Sequence, residues 1–330
     1  MALGSLAHQY DVLLFDLDGT VWEGGRALDK AVSSIIECGV TPFYITNNAS
    51  RPSALVAEML GDIGLECSSE EIITSAEAAL ELARPLLKED DPILVLGAQS
   101  FKDLVSGAGY RVVSSADDAP VAVLQGHCPE TGWRELSEAA LAIHNGAVYL
   151  ASNLDTSLPM ERGLMVGNGS MVAAVTSATG VVPEAAGKPE PAMFHQAVKL
   201  SGATRALAVG DRLDTDIAGG NRAGMDTLQV LTGVSGPYAL LAAKPVERPT
   251  YIGDDLRSLL ADAESLRPGA QGGFVAKLQG DTLLLNGGAA SSSPTEALRT
   301  ALAVAWSAEA EVRVVEPVSQ WAQKAVESWW

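Results

Sequence analysis

The sequence predicts an α/β protein: a doubly wound parallel sheet, a second α/β domain inserted into it, and a small C-terminal α+β appendage. Apolar runs of strand length alternate with segments of helical period early and late in the chain. A second, complete set of such runs lies between them. The length of 330 residues agrees, since about 150 residues per domain gives two domains or one with a substantial insertion.

Each element follows in order. DVLLFD at residues 11–16 is an apolar strand, residues 27–38 have helical period, and TPFYIT at Thr41–Thr46 is the next strand, which together make a βαβ rhythm. A helix is expected at 53–64. The same sheet resumes with a helix at 191–200, strand ALAVG at Ala206–Gly210, a helix at 214–223 and strand TLQVL at 227–231. Between them, strands PILVLG, VAVLQG and AVYLAS with intervening helices form the insertion. Its last helix opens at GNGS, whose glycines suit a tight loop and whose Ser170 suits a cap. After residue 265, RPGAQGG reads as a linker, followed by a hairpin, a helix at 294–308, strand EVRVVEPV and a helix ending in two tryptophans. Trp306, Trp321, Trp329 and Trp330 are four of the six tryptophans in the chain. A unit this small does not readily bury them alone, so they are expected to pack on the body or on a second subunit of a homo-oligomer.

Composition narrows the function. Acidic residues outnumber basic ones by 41 to 22, a formal charge of −19, which repels nucleic acid and anionic membrane surfaces. No apolar run approaches the ~18 residues of a membrane span. Cys38, Cys67 and Cys128 lack the spacing of a zinc site or redox motif. MALGSLAHQY has neither a basic region nor the apolar core of a signal peptide. The expectation is a reduced, cytoplasmic setting. The four histidines, His8, His127, His144 and His195, show no metal-ligand spacing.

The strongest chemical signal is LLFDLDGTVWEGG. The D-x-D-G-T string arises by chance in roughly one chain of this length in a few hundred, and here it directly follows an apolar strand. In an open α/β sheet the carboxyl ends of the strands face the ligand crevice, so Asp16 stands where a carboxylate can attack phosphorus. Asp18, two residues on, can protonate a leaving alkoxide and then activate water. Two neighbouring carboxylates facing a phosphate ester need a hard divalent cation with oxygen ligands, which points to Mg²⁺. VGDRLDTD supplies a further carboxylate at a strand end, Asp211. The metal ligands are read as Asp16, the backbone carbonyl of Asp18, and Asp211, with Asp216 behind them orienting ligands or waters. Thr46, Asn47 and Asn48 end strand Thr41–Thr46 and offer a hydroxyl, amides and backbone N–H groups to phosphate oxygens. Lys188, in AGKPEP, can neutralise the phosphate and the nucleophile. Taken alone, TNNAS is also an ordinary turn and a surface lysine the plainer reading.

These four elements, in this order and spacing, resemble the haloacid dehalogenase superfamily of phosphohydrolases. The insertion between the second and third elements, with ASNLDTSLP, GNGSMVAAV and GKP, resembles its NagD-like branch. HCPETGW, LPMERG, GDRLDTD and the appendage look most like the D,L-glycerol-3-phosphate phosphatases, whose appendage resembles part of an acetyltransferase fold. The resemblance implies a Rossmann-like core over residues 1–76 and 184–264, a cap over 77–183 and an appendage over 265–330. It also implies Asp16 as nucleophile, Asp18 as acid and base, Thr46, Asn47, Asn48 and Lys188 as phosphate binders, and Asp211 as metal ligand. The implied reaction is Mg²⁺-dependent hydrolysis of a small phosphorylated metabolite, glycerol 3-phosphate first, with phosphoglycolate, sugar phosphates or nucleotides as alternatives. Leu158 stands where the pyridoxal phosphatases of the branch present a histidine. A phospho-receiver module shares an aspartate, a threonine and a lysine around Mg²⁺, but it needs neither the second aspartate nor the insertion.

Overall fold

The computed structural model describes residues 4–160, 162–308 and 311–330. Its chain falls into two compact units, residues 1–43 with 201–330, and residues 44–200. Among the described residues no helix is long and apolar enough to cross a membrane.

In the first unit four parallel strands lie in the order Tyr251–Gly253, Asp226–Val230, Ala206–Gly210, Val12–Phe15. Register pairs Val12 with Ala206 and Phe15 with Val209. Every residue of VLLF and of ALAVG is buried, as expected where both faces of a parallel sheet are covered. Because Val12–Phe15 and Ala206–Gly210 run parallel and in register, they end side by side, and the residues that follow them, Asp16 and Asp211, emerge at the same sheet edge. The expected helix at 214–223 differs at its start. Residues Leu213–Ile217 form a wide turn in which the N–H groups of Asp216 and Ile217 both donate to the Arg212 carbonyl, and an ordinary helix follows only over Ala218–Arg222. The widening sets the Asp216 side chain over Gly210, where an added Cβ would lie 2.2 Å from the Asp216 Cβ.

The C-terminal part of this unit has strands Phe274–Gln279 and Thr282–Gly287 as an antiparallel hairpin, with Val314–Pro317 added in parallel to the second. Helix Pro294–Ser307 starts with proline at its first position and a reciprocal Ser293–Glu296 cap. RPGAQGG is an ordered tether instead of a loose linker. The Gly269 N–H donates to the Arg299 carbonyl, the Gln271 N–H to the Thr300 hydroxyl, and the Arg267 guanidinium stacks 4.6 Å from the Tyr251 ring. One apolar core joins Leu213, Ile217, Leu240, Leu241, Ala243 and Ile252 of the sheet region to Phe274, Leu298, Leu302 and Trp329 of the appendage. Two of the tryptophans pack on the body of their own chain: Trp306 donates its indole N–H to the Leu240 carbonyl at 3.0 Å, and Trp329 meets the Tyr238 ring edge-on.

In the second unit the end of strand Thr41–Thr46 pairs in parallel with Ile72–Thr74. A five-stranded parallel sheet runs in the order Glu184–Ala185, Val148–Ala151, Ala122–Gln125, Pro92–Leu96, Arg111–Val113. Helices Trp133–His144 and Asn168–Thr179 cover it through Ala139, Ala142, Ile143, Val172 and Val175. The GNGS segment works differently from its sequence reading. Added Cβ atoms on Gly167 and Gly169 would lie 2.2 and 2.1 Å from the carbonyl oxygens of Asp155 and Leu154, so these glycines permit close backbone approach rather than a turn. Ser170 donates its hydroxyl to the Thr156 carbonyl instead of capping the helix.

Candidate active site

Asp16, Asp211 and Asp216 each offer a carboxylate oxygen within 4.8 Å of the others. Asp211 is fully buried, Asp216 buried and Asp16 half-buried. Three carboxylates this close repel one another, and a hard divalent cation with oxygen ligands is the group that such a donor set fits. Asp211 is built in from several directions. Thr20, from the D-x-D-G-T turn, directs its hydroxyl at Asp211 Oδ1 (3.4 Å). The Val234 N–H donates to Asp211 Oδ2 (2.7 Å), and the Asp211 carbonyl accepts from the Ser235 N–H and from Gln229 Nε2 (2.6 Å). Gly19 has φ +91°, and a Cβ there would sit 2.7 Å from Asp211 Oδ2, so the glycine of the motif is required by both backbone and space. Asp216 Oδ2 accepts from the Arg212 N–H. Asp214 is exposed and paired with the Arg212 guanidinium.

Asp18 stands apart from this carboxylate group. It is exposed, and its Oδ1 accepts the indole N–H of buried Trp22 at 3.0 Å. The WEGG that follows the motif makes a hairpin, Trp22–Glu23 against Arg26–Ala27, which fixes that indole. Trp22 lies within the LLFDLDGTVWEGG string, but nothing in the sequence alone assigns its indole a partner.

In the second unit, Thr46, Asn47 and Asn48 cluster with Lys188. The Thr46 hydroxyl accepts from the Asn48 N–H, and Asn48 Oδ1 accepts from the N–H and hydroxyl of Ser50, which folds the loop into tight local turns. The Asn47 side chain is spent on the lysine loop: Oδ1 accepts from the Lys188 N–H (2.8 Å) and Nδ2 donates to the Lys188 carbonyl (3.0 Å). Gly187 leaves room for that grip, since a Cβ there would meet Asn47 Oδ1 at 2.7 Å. Asn47 is fixed in turn by Asp155, which accepts from its Nδ2, and by Asn153 and Ser75, which donate to its carbonyl. Lys188 is buried, with Nζ donating to the Ile45 carbonyl. Asn153 and Asp155 lie in ASNLDTSLP, which carried the resemblance without a role for its residues.

A family model described as haloacid dehalogenase-like hydrolase matches residues 13–111, and one described as HAD-hydrolase-like matches residues 185–259. A D-glycerol 3-phosphate phosphatase from Mycobacterium tuberculosis is 45% identical over 285 residues, covering 86% of this chain and 81% of the relative. The chain belongs to the haloacid dehalogenase-like hydrolases. An acid sugar phosphatase from Staphylococcus epidermidis is 33% identical over 77% of this hydrolase and 98% of its own length. The crystal structure of a glycerol phosphate phosphatase from Mycobacterium tuberculosis in complex with magnesium matches with TM-score 0.92 and 41% identity, over 99% of both chains. A thermostable NPPase from Geobacillus stearothermophilus matches with TM-score 0.68 and 33% identity, over 75% of this hydrolase and 97% of the other chain. The α/β fold predicted from the sequence is thus that of the family.

Proposed function

We propose that this hydrolase is a Mg²⁺-dependent phosphatase that cleaves glycerol 3-phosphate to glycerol and phosphate. The observation that carries the reading is the close carboxylate group of Asp16, Asp211 and Asp216, with a second aspartate two residues after Asp16 held by an indole N–H. The catalytic core spans residues 1–76 and 184–264, the cap 77–183 and the appendage 265–330.

Asp16, Asp211 and the Asp18 carbonyl hold Mg²⁺, with Asp216 close enough to join them or to orient a water ligand. The bound cation neutralises the carboxylates and the phosphate. An oxygen of Asp16 attacks phosphorus and forms an aspartyl phosphate, while Asp18 gives its proton to the departing alkoxide. Asp18, now ionised, takes a proton from water as that water attacks the same phosphorus, which frees phosphate and restores Asp16. Lys188 and the Thr46 hydroxyl, with the Asn47–Asn48 loop, bind the phosphoryl oxygens, and Asn47 positions Lys188. Identity to a D-glycerol 3-phosphate phosphatase over most of both chains supports the substrate. A second reading, a sugar phosphate, is favoured by the acid sugar phosphatases at 33–34% identity.

A panel of glycerol 3-phosphate, phosphoglycolate, sugar phosphates, nucleotides and a phosphopeptide, assayed by phosphate release with and without Mg²⁺, tests this. The expected result is highest kcat/KM for glycerol 3-phosphate, only with Mg²⁺, and none for Asp16→Asn. Near-normal turnover by Asp16→Asn would overturn the covalent mechanism, and a strong preference for a sugar phosphate would give the site to the second reading.

A further inference from the structure

The loop between strand Asp226–Val230 and helix Pro237–Leu241 grips the carboxylate site. Besides the Val234 and Ser235 N–H bonds to Asp211, the Ser235 hydroxyl accepts from the Leu213 N–H. The Thr232 hydroxyl donates to the Gly19 carbonyl at 2.6 Å, so one loop ties Asp211 to the turn that carries Asp16 and Asp18. Gln229, buried in the strand before it, spans the loop base by donating to the carbonyls of Asp211 and Ser235.

The far end of this loop is held by the appendage. Gly236 begins helix Pro237–Leu241, and the Trp330 indole and carbonyl lie so near that a Cβ on Gly236 would come within 2.6 Å of each. Two residues on, Tyr238 meets the edge of Trp329. Trp329 is itself buried and directs its indole N–H at the Pro294 carbonyl. The Leu240 carbonyl takes the Trp306 N–H, and Leu240 and Leu241 lie in the shared core. A loop bonded to a metal-ligand candidate at one end and clamped by three tryptophans at the other has little freedom to relax.

We propose that the appendage, through Trp330 and Trp329 seated on Gly236 and Tyr238, is a positioning element that sets the geometry of Asp211 and thereby the affinity of the site for its divalent cation. The proposal rests on the reading of Asp211 as a metal ligand. Trp330 is half-exposed, so Trp330→Ala removes the clamp without hollowing the core. Gly236→Ala is the converse, a wedge driven between loop and indole. Neither residue touches substrate.

The test measures Mn²⁺ binding by electron paramagnetic resonance on the full chain, together with the Mg²⁺ dependence of glycerol 3-phosphate hydrolysis. The expected result is cation affinity weakened by about 3- to 10-fold in both variants, with kcat at saturating Mg²⁺ within about 2-fold of the parent. Val275→Ala, on an exposed face of the appendage, should leave both unchanged. Unaltered Mn²⁺ affinity in Trp330→Ala and Gly236→Ala, whatever their melting temperatures, would overturn the proposal and leave a purely structural brace. Absence of Mn²⁺ binding or hydrolysis in the parent chain would instead overturn the metal-site reading beneath it.

Discussion

Replacing Gly233 by alanine tests the carboxylate site without touching any functional group. A Cβ at Gly233 would lie 2.1 Å from Asp211 Oδ2, 2.5 Å from its Cγ and 2.8 Å from its Cβ. Ordinary contact begins near 3.4 Å, so the carboxylate or the loop must yield by about 1.3 Å. The loop cannot yield freely, because Val234 and Ser235 are bonded to the same aspartate and Thr232 to Gly19. Asp211 has no hydrated space to turn into, being fully buried. Displacing a group in a reacting centre by about 1 Å costs on the order of 10²-fold in rate, or about 2.7 kcal/mol of transition-state stabilisation. Gly233→Ala should therefore lower kcat/KM for glycerol 3-phosphate about a hundredfold and raise the Mg²⁺ needed for half-maximal rate. The control is Gly61→Ala, in helix Ser53–Asp62, where nothing lies within 4 Å of an added Cβ. It should keep full activity and gain roughly 0.5–1 kcal/mol of stability from reduced backbone entropy. Phosphate release under varied Mg²⁺, with melting curves for both variants, separates site damage from unfolding. A folded Gly233→Ala protein with parental kcat/KM and Mg²⁺ dependence would refute the assignment of Asp211.

Three further outcomes are expected. Asp18→Asn should slow turnover by ~10²–10⁴-fold, and Trp22→Phe, which keeps the ring but loses the N–H held against Asp18, should slow it by about 3- to 10-fold; full-rate steady-state kinetics for either would move the acid role elsewhere. Asp11 accepts from the Thr204 hydroxyl and from the backbone and guanidinium of Arg205, which lowers its carboxyl from the ordinary 3.8 to about 2. Folding thus favours its ionised form, so urea titrations should show Asp11→Asn less stable than the parent above about pH 4, with the gap closing as pH falls towards 2. Truncation after Leu266 should lower the melting temperature by well over ~5 °C, with kcat per folded molecule at saturating Mg²⁺ largely retained; an unchanged melt would deny the shared core any energetic role.

Much of the fold was legible because strands such as VLLF and ALAVG are buried throughout and read as unbroken apolar runs. The short hairpins Trp22–Glu23 with Arg26–Ala27, and Ser157–Met160 with Gly163–Val166, were not, because pieces of two to four residues carry no periodicity. In the site, Asp16 and Asp211 stand out as acidic residues directly following strands, and Asp18 by its place in D-x-D-G-T. Thr232, Val234 and Gln229 do not, since they act on Asp211 and Gly19 through backbone groups or through contacts to backbone, which any loop composition disguises. The tether at RPGAQGG misled for a related reason: its glycine and proline content matches a flexible segment, while its order comes from distant partners, Arg299, Thr300 and Tyr251.

That tether also bears on how such chains are cut and joined. Leu213, Ile217, Leu240, Leu241 and Ile252 all precede it, yet they share one buried core with residues that follow it. A shorter relative that stops near residue 266 has nothing to lay over this surface, and evolution has to have repainted it with polar side chains or covered it by some other means. Aligned sequences of short and long members should therefore differ at these five positions more than elsewhere on the sheet. Anyone grafting the appendage onto a short member, or trimming it from a long one, has to exchange those five residues together with the segment.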